Sequence, residues 1–283
     1  MLPNQPSRTL LRTAIRRATH QVLDTPTILH DPIVLKVLPE ASDPEVIASI
    51  HNDGAPDPEL LRSLFAMRSR FAEDRLAEAS ARGICQYVIL GAGLDTFPWR
   101  QPQFALGMQL FAADHPLSLA FAQERFRAAG LPKPPNLTQL AIDLEMDNAR
   151  DQLSKSGFNF TLPAFISMLG VAQYLSAGAF DAILNFVASL REGSEIVFSF
   201  ALSDDALSGY DLEASTLSAA LTASIGEPWR TKLRPNELVA RLRNNQFRHV
   251  FHLTPQAAHD RYFAGRPDKL RAPGWEQLIA AIV

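Results

Sequence analysis

The chain has 283 residues and a formal net charge of −3, long enough to bury a sizeable core without disulfide or metal staples. Its basic residues form no block longer than Arg16-Arg17, which argues against a polyanion footprint and hence against nucleic acid. No apolar run reaches membrane-spanning length and the first residues carry no long apolar stretch, so the expectation is a cytoplasmic protein with no secretory leader and no membrane contact. The single cysteine, Cys85, cannot form an internal disulfide. It fits a reducing compartment and reads as a small buried hydrophobe.

Taken in order, residues 9–23 predict an amphipathic helix with Leu11, Ile15, Ala18 and Val22 on one stripe, and Ile33 to Leu38 a second short helix. These belong to an N-terminal helical arm, residues 1–57, whose apolar stripe needs the main body to cover it. Pro58 to Ala81 is a long helix that Gly83 stops; Arg70 and Asp74 on it are four apart and share a face. Tyr87 to Leu90 is a buried parallel strand ending at Gly91. Met108 to Ala113 is the second strand, closed by Asp114-His115-Pro116, and the following helix spans 117–129. A third strand, Leu137 to Ile142, ends at Asp143-Leu144, and a short helix runs from Asn148 to Lys155. The fourth strand lies within 163–170 and exits at Leu169-Gly170. A helical turn at 172–175, a helix at 177–190 and a fifth strand at 195–200 follow. Residues 203–228 change character and predict a helical cap over the strand ends. A helix at 235–244 and a strand at 247–253 complete the series, and periodicity leaves 275–283 open between a seventh strand and a terminal helix. Strands spaced by helices imply βαβ units in one domain, residues 1–283, with helices on both faces of a mostly parallel sheet.

The distinctive residues fall at strand ends, where ligands bind in such sheets. Gly91-Ala92-Gly93 lets backbone approach a ligand, but Leu94-Asp95-Thr96 follows where a dinucleotide motif has its third glycine. The loop thus points to a nucleotide cofactor without a pyrophosphate to cradle. Asp114 stands 23 residues after Gly91, the distance at which an acid holds ribose hydroxyls. The histidines show no metal-ligand spacing, so no metal is expected.

These residues belong to longer blocks: HDP at 30–32, RSRFAEDRL at 68–76, QYVILGAGLDTFPWR at 86–100, DHP at 114–116, IDLE at 142–145, PAFISMLGVAQYL at 163–175 and RYFAGRPDKL at 261–270. In this order they resemble the S-adenosylmethionine-dependent methyltransferase family that includes leucine carboxyl methyltransferases and polyketide O-methyltransferases. The resemblance implies a Rossmann-like methyltransferase fold with a seven-stranded sheet, and S-adenosyl-L-methionine as cofactor. It implies Arg70 on the methionyl carboxylate, Gly91, Ala92, Gly93 and Asp95 in the loop beneath it, Asp114 on the ribose with His115 beside it, Asp143 on the adenine amino group, and Leu144 and Leu169 against the cofactor. Leu169-Gly170 replaces the Glu-Gly of the leucine carboxyl branch, Ala112 stands where relatives carry Glu, and Met168 where an aromatic is common. The first departure argues against a phosphatase-type substrate, and the other two leave open a member with weak or lost activity.

The expected reaction is O-methylation of a small-molecule carboxylate or hydroxyl, with the rate supplied by positioning. No catalytic residue is assigned; Tyr174 and Tyr262 are the residues expected near the acceptor, each equally readable as a core aromatic. Two other readings stand beside this one: a non-catalytic member that binds a partner, and a nicotinamide-dependent oxidoreductase. An oligomer is compatible with the sequence.

Overall fold

The computed structural model describes residues 5–268 and 270–283. The N-terminal arm folds as α1 (Arg8–Leu23), α2 (Pro32–Val37) and α3 (Pro44–His51), and the long α4 (Pro58–Ala81) leads into β1 (Gln86–Leu90). The short α5 (Phe97–Arg100) follows the glycine loop. Next come β2 (Gln109–Asp114), α6 (Pro116–Ala128), β3 (Leu137–Ala141), α7 (Ala149–Ser154), β4 (Phe165–Met168), α8 (Ala177–Ala188) and β5 (Glu195–Ala201). The cap is α9 (Gly209–Ser224), and α10 (Pro235–Asn244), β6 (His249–Leu253), α11 (Pro255–Ala258) and β7 (Glu276–Ile282) complete the chain. The undecided C-terminal segment is therefore a strand, because it fills the slot between β5 and β6 and pairs antiparallel with both.

The sheet runs β3-β2-β1-β4-β5-β7-β6, a mixed α/β fold of the Rossmann-like methyltransferase type with only β7 reversed. Strand order turns back between β1 and β4, the place where such sheets open a crevice beyond their carboxyl ends. Period-two alternation divides β1 between the two faces: Tyr87 and Ile89 pack with α4 residues such as Leu64, Met67 and Phe71, whereas Val88 and Leu90 pack with Phe180 and Leu184 of α8. A third apolar cluster joins Ala14 and Ala18 of α1 and Val34 of α2 to Leu94 of the glycine loop and to Ala122 and Phe126 of α6. The arm thus covers the body with its apolar stripe, as its pattern requires. Charge fixes the long helix: Arg75 of α4 and Arg82 just after it both reach the buried Glu195 at the start of β5, at 2.6 and 2.5 Å. Cys85 corrects its expectation, since it is exposed. It lies just after the turn at Gly83 and before β1 enters the sheet, where the apolar run has not begun.

Candidate functional site

A cavity of about 800 Å³ opens beyond the carboxyl ends of β1, β2 and β4. Its floor is the glycine loop, and two glycines are there for definite reasons. Gly91 has φ +70°, and a Cβ at this position would collide with the Val171 side chain; Gly93 has φ +52° and lies under the Leu10 side chain of α1. The loop is strapped to the neighbouring strand, because Gly91 and Ala92 both donate to the Ala113 carbonyl, at 2.8 and 3.1 Å.

Asp114 ends β2 inside this cavity. One carboxylate oxygen accepts from the Gly93 amide at 2.6 Å and the other from the His115 amide at 2.7 Å. Burial pushes its carboxyl up to about 6, against the pull of those two amides and of the His115 charge. Each oxygen retains lone-pair capacity to accept from a ligand. His115 lines the cavity too, but its Nδ1 caps α6 by accepting from the Leu117 amide at 3.3 Å. Asp95 accepts from the Phe97 amide at 2.9 Å and starts α5. Asp143 accepts from the Glu145 amide at 3.0 Å with one oxygen, beside Leu144 on the cavity wall. Leu169 completes the set at the end of β4, and Tyr174 lies on the same wall, its phenol pushed up to about 12 by burial and so neutral at ordinary pH.

Two expected site residues lie elsewhere. Arg70 is on the outer face of α4: its side chain is 46% exposed and bonds Asp74 at 2.8 Å and the Ile28 carbonyl at 3.2 Å. Tyr262 donates to the same Asp74 at 2.9 Å and stacks beneath Arg70, away from the cavity. The arginine that lines the cavity is Arg68, which is 6% exposed. A helix turns about 100° per residue, so side chains two positions apart project from nearly opposite faces. The two arginines of the RSRF block thus face opposite ways: Arg68 lines the cavity and Arg70 makes the surface pair with Asp74.

Arg68 is held by Glu276 at the start of β7 and lies over Phe65, 4.8 Å from the ring centre. Gly170, with φ +70°, makes room for it, since a Cβ there would come within 2.8 Å of the guanidinium. Its Nε is buried without a partner. From the arm, Arg12 and Arg16 share the single carboxylate of Asp53 at 2.6 and 2.5 Å. The Arg16 Nε is likewise unpaired, and burial lowers its pKa despite Asp53. Guanidinium groups on residues that line a cavity, with donor capacity left over, are a fit for a carboxylate. Sequence reasoning missed Arg68, Arg16 and Glu276. Arg68 had a signal in the motif itself, whereas Glu276 had none, because β7 reaches the site only through the sheet order.

The roof is the first turn of α1. Glu227, just after the cap, is 5% exposed and accepts from the Arg8 and Thr9 amides at 2.6 and 3.3 Å and from the Ser7 and Thr9 hydroxyls at 3.0 and 2.5 Å. A carboxylate so placed satisfies the open amides of a helix start and complements its dipole.

The family model for leucine carboxyl methyltransferase matches residues 10–188, more than half of the chain. The chain belongs to the leucine carboxyl methyltransferase family. YktD of Bacillus subtilis (strain 168), which bears a provisional name as an S-adenosyl-L-methionine-dependent methyltransferase, is 28% identical, and the match covers 96% of each chain. A Saccharopolyspora erythraea protein with the same provisional name is 30% identical over 72% of this chain and 71% of its own. A solved DUF574-family protein from Streptomyces avermitilis superposes with a TM-score of 0.60 at 14% identity, covering 95% of this chain and 96% of its own. A Thermobifida fusca structure, also provisionally named a methyltransferase, gives 0.55 at 20% identity, over 88% and 92%. Those two structures bear on the fold alone. The family match takes in the glycine loop, Asp114, Asp143 and Arg68, and ends before α9 and β7, so Glu227 and Glu276 lie beyond it.

Proposed function

We propose that this protein transfers a methyl group from S-adenosylmethionine to an oxygen of a small-molecule carboxylate or hydroxyl. The observation that carries the reading is Asp114, an acid at the end of β2 locked by the glycine loop's own amide and facing a cavity at the strand-order switch. When bound, the cofactor supplies an electrophilic sulfonium methyl and needs no metal.

The cavity's residues fit that group chemically. Asp114 would accept from the ribose hydroxyls, Asp143 would accept from the adenine amino group, and Leu144 would pack against the ring. Gly91 and Gly93 let the methionyl portion lie on backbone. Arg68 takes the role first expected of Arg70, holding the methionyl carboxylate with the open side of its guanidinium, and Arg16 adds a second charge on the same cavity. The protein's contribution to rate is to hold donor and acceptor in line and to exclude water under the α1 roof, effects together worth up to roughly 7–11 kcal/mol when alignment is good. A carboxylate acceptor is already ionised and needs no base; a hydroxyl has to give up its proton.

Isothermal calorimetry with S-adenosylmethionine, S-adenosylhomocysteine and NADH tests this. Saturable binding of the first two with no heat from NADH is expected. Binding of NADH alone would replace this reading with the oxidoreductase.

A further inference from the structure

Resting on the methyltransferase reading, we propose that Glu276 selects the acceptor through its free carboxylate oxygen, so that the acceptor is a small, planar, largely apolar molecule bearing a hydroxyl. Glu276 is 2% exposed and lines the cavity. Arg68 engages only its Oε2, and Oε1 is buried with no partner. A buried carboxylate oxygen left unpaired costs free energy, and such atoms in folded proteins are answered by a ligand or an ordered group. Because an ionised carboxylate only accepts, whatever answers Oε1 must donate.

Topology places this oxygen away from the nucleotide. Glu276 pairs in register with Ala201 at the carboxyl end of β5, on the far side of β1 and β4 from Asp114. The walls of the same cavity include Phe65, Trp229 and Trp275 with Leu61, Leu221 and Ile225, beside polar residues such as Arg16 and Glu227. Such walls suit a flat apolar body, which aromatic side chains sandwich well. A carboxylate on that body would bring negative charge against Oε1 and could not turn to Arg68, which is committed to Glu276 on one side and to the cofactor's carboxylate on the other. A hydroxyl meets the same oxygen as a donor.

The test titrates the full-length protein, saturated with S-adenosylhomocysteine, with 2-naphthol, 2-naphthoate, 2-methoxynaphthalene and 2-naphthylmethylamine. The expected result is that 2-naphthol binds about ten-fold more tightly than the other three, the value of a hydrogen bond to a charged group. In Glu276→Gln the preference over 2-naphthoate should fall about five-fold or more as the repelling charge is removed. Equal binding of naphthol and naphthoate, a preference for the amine, or no binding of any probe overturns the assignment. Should Glu276→Gln fail to fold once Arg68 loses its partner, the ranking in the wild-type protein still decides. S-adenosylhomocysteine binding is measured first: its absence takes down the methyltransferase reading, whereas its presence without the naphthol preference takes down this inference alone.

Discussion

Arg68 and Arg70 differ by two positions and by nearly half a helical turn, and the site depends on that difference. Arg68 sits in the cavity against Glu276, while Arg70 makes an exposed pair with Asp74 of the kind worth at most about 1 kcal/mol. Arg68→Lys should therefore weaken S-adenosylmethionine binding by about ten-fold or more, since an ammonium cannot replace a fork that serves two carboxylates. Arg70→Lys should leave the affinity within about two-fold, because nothing in the cavity loses a contact. Calorimetry on the two variants separates them, and equal losses would return the role to Arg70. Asp114 makes a pH prediction. Its folded value of about 6 lies above the ordinary 3.8, so the folded protein prefers the protonated form. Its contribution to stability is fully present below the ordinary value and is lost as pH rises through about 6. Urea denaturation of the free protein should show this decline between those limits, and Asp114→Asn should flatten it. Cofactor affinity should run the opposite way, rising through the same window as the ionised acceptor forms.

Among elements, the glycine loop and the first turn of α1 set the floor and roof of the cavity. Gly91→Ala would combine a left-handed backbone, costing about 1–2 kcal/mol, with a clash against Val171 that adds about 1–3 kcal/mol. A fall in urea midpoint at unchanged slope is the expected signature, and a neutral outcome would mean the loop relaxes freely. For the roof, Glu227→Gln keeps the shape and removes the charge that binds Ser7, Arg8 and Thr9. Hydrogen exchange in the first turn of α1 should accelerate, with a stability loss of about 1–3 kcal/mol; unchanged protection there would show that packing of Leu10 and Ala14 alone holds the roof. The HDP block has a parallel structural meaning. Asp31 is fully buried and accepts from Thr96 at 2.5 Å, with Arg17 and Arg100 each at 3.5 Å. Arg100 also reaches Glu73 of α4 at 2.5 Å. Segments read separately along the chain thus meet in one buried network that fixes the arm, the loop exit and α4 relative to one another.

For the molecule as a whole, ligand binding and folding are linked, because arm, sheet and cap share the cavity wall. S-adenosylhomocysteine at about a hundred times its dissociation constant should stabilise the fold by about 2.7 kcal/mol. That corresponds to a rise of several degrees in Tm at roughly 2–4 °C per kcal/mol, and NADH at the same concentration should produce none; the reverse pattern in differential scanning calorimetry would sink the cofactor assignment. The strand ends and the residues closing them were legible in the sequence because each is a local event. An apolar run, a glycine or an acid, and a helix start recur at Gly91, Asp114 and Asp143, and local backbone chemistry suffices to mark them. Pro58 to Ala81 was legible for the same reason, as a helical pattern that Gly83 stops. What only the tertiary structure decided depends on contacts between distant segments: which face of α4 looks inward, whether 276–282 is a strand, and that Glu276 and Glu227 reach the cavity at all. Periodicity identifies an apolar stripe but cannot rank two arginines flanking it, and a carboxylate has no local mark of its future partner. Arg68 and Glu276 lie 208 positions apart in the chain, and packing β7 between β5 and β6 is what brings them together.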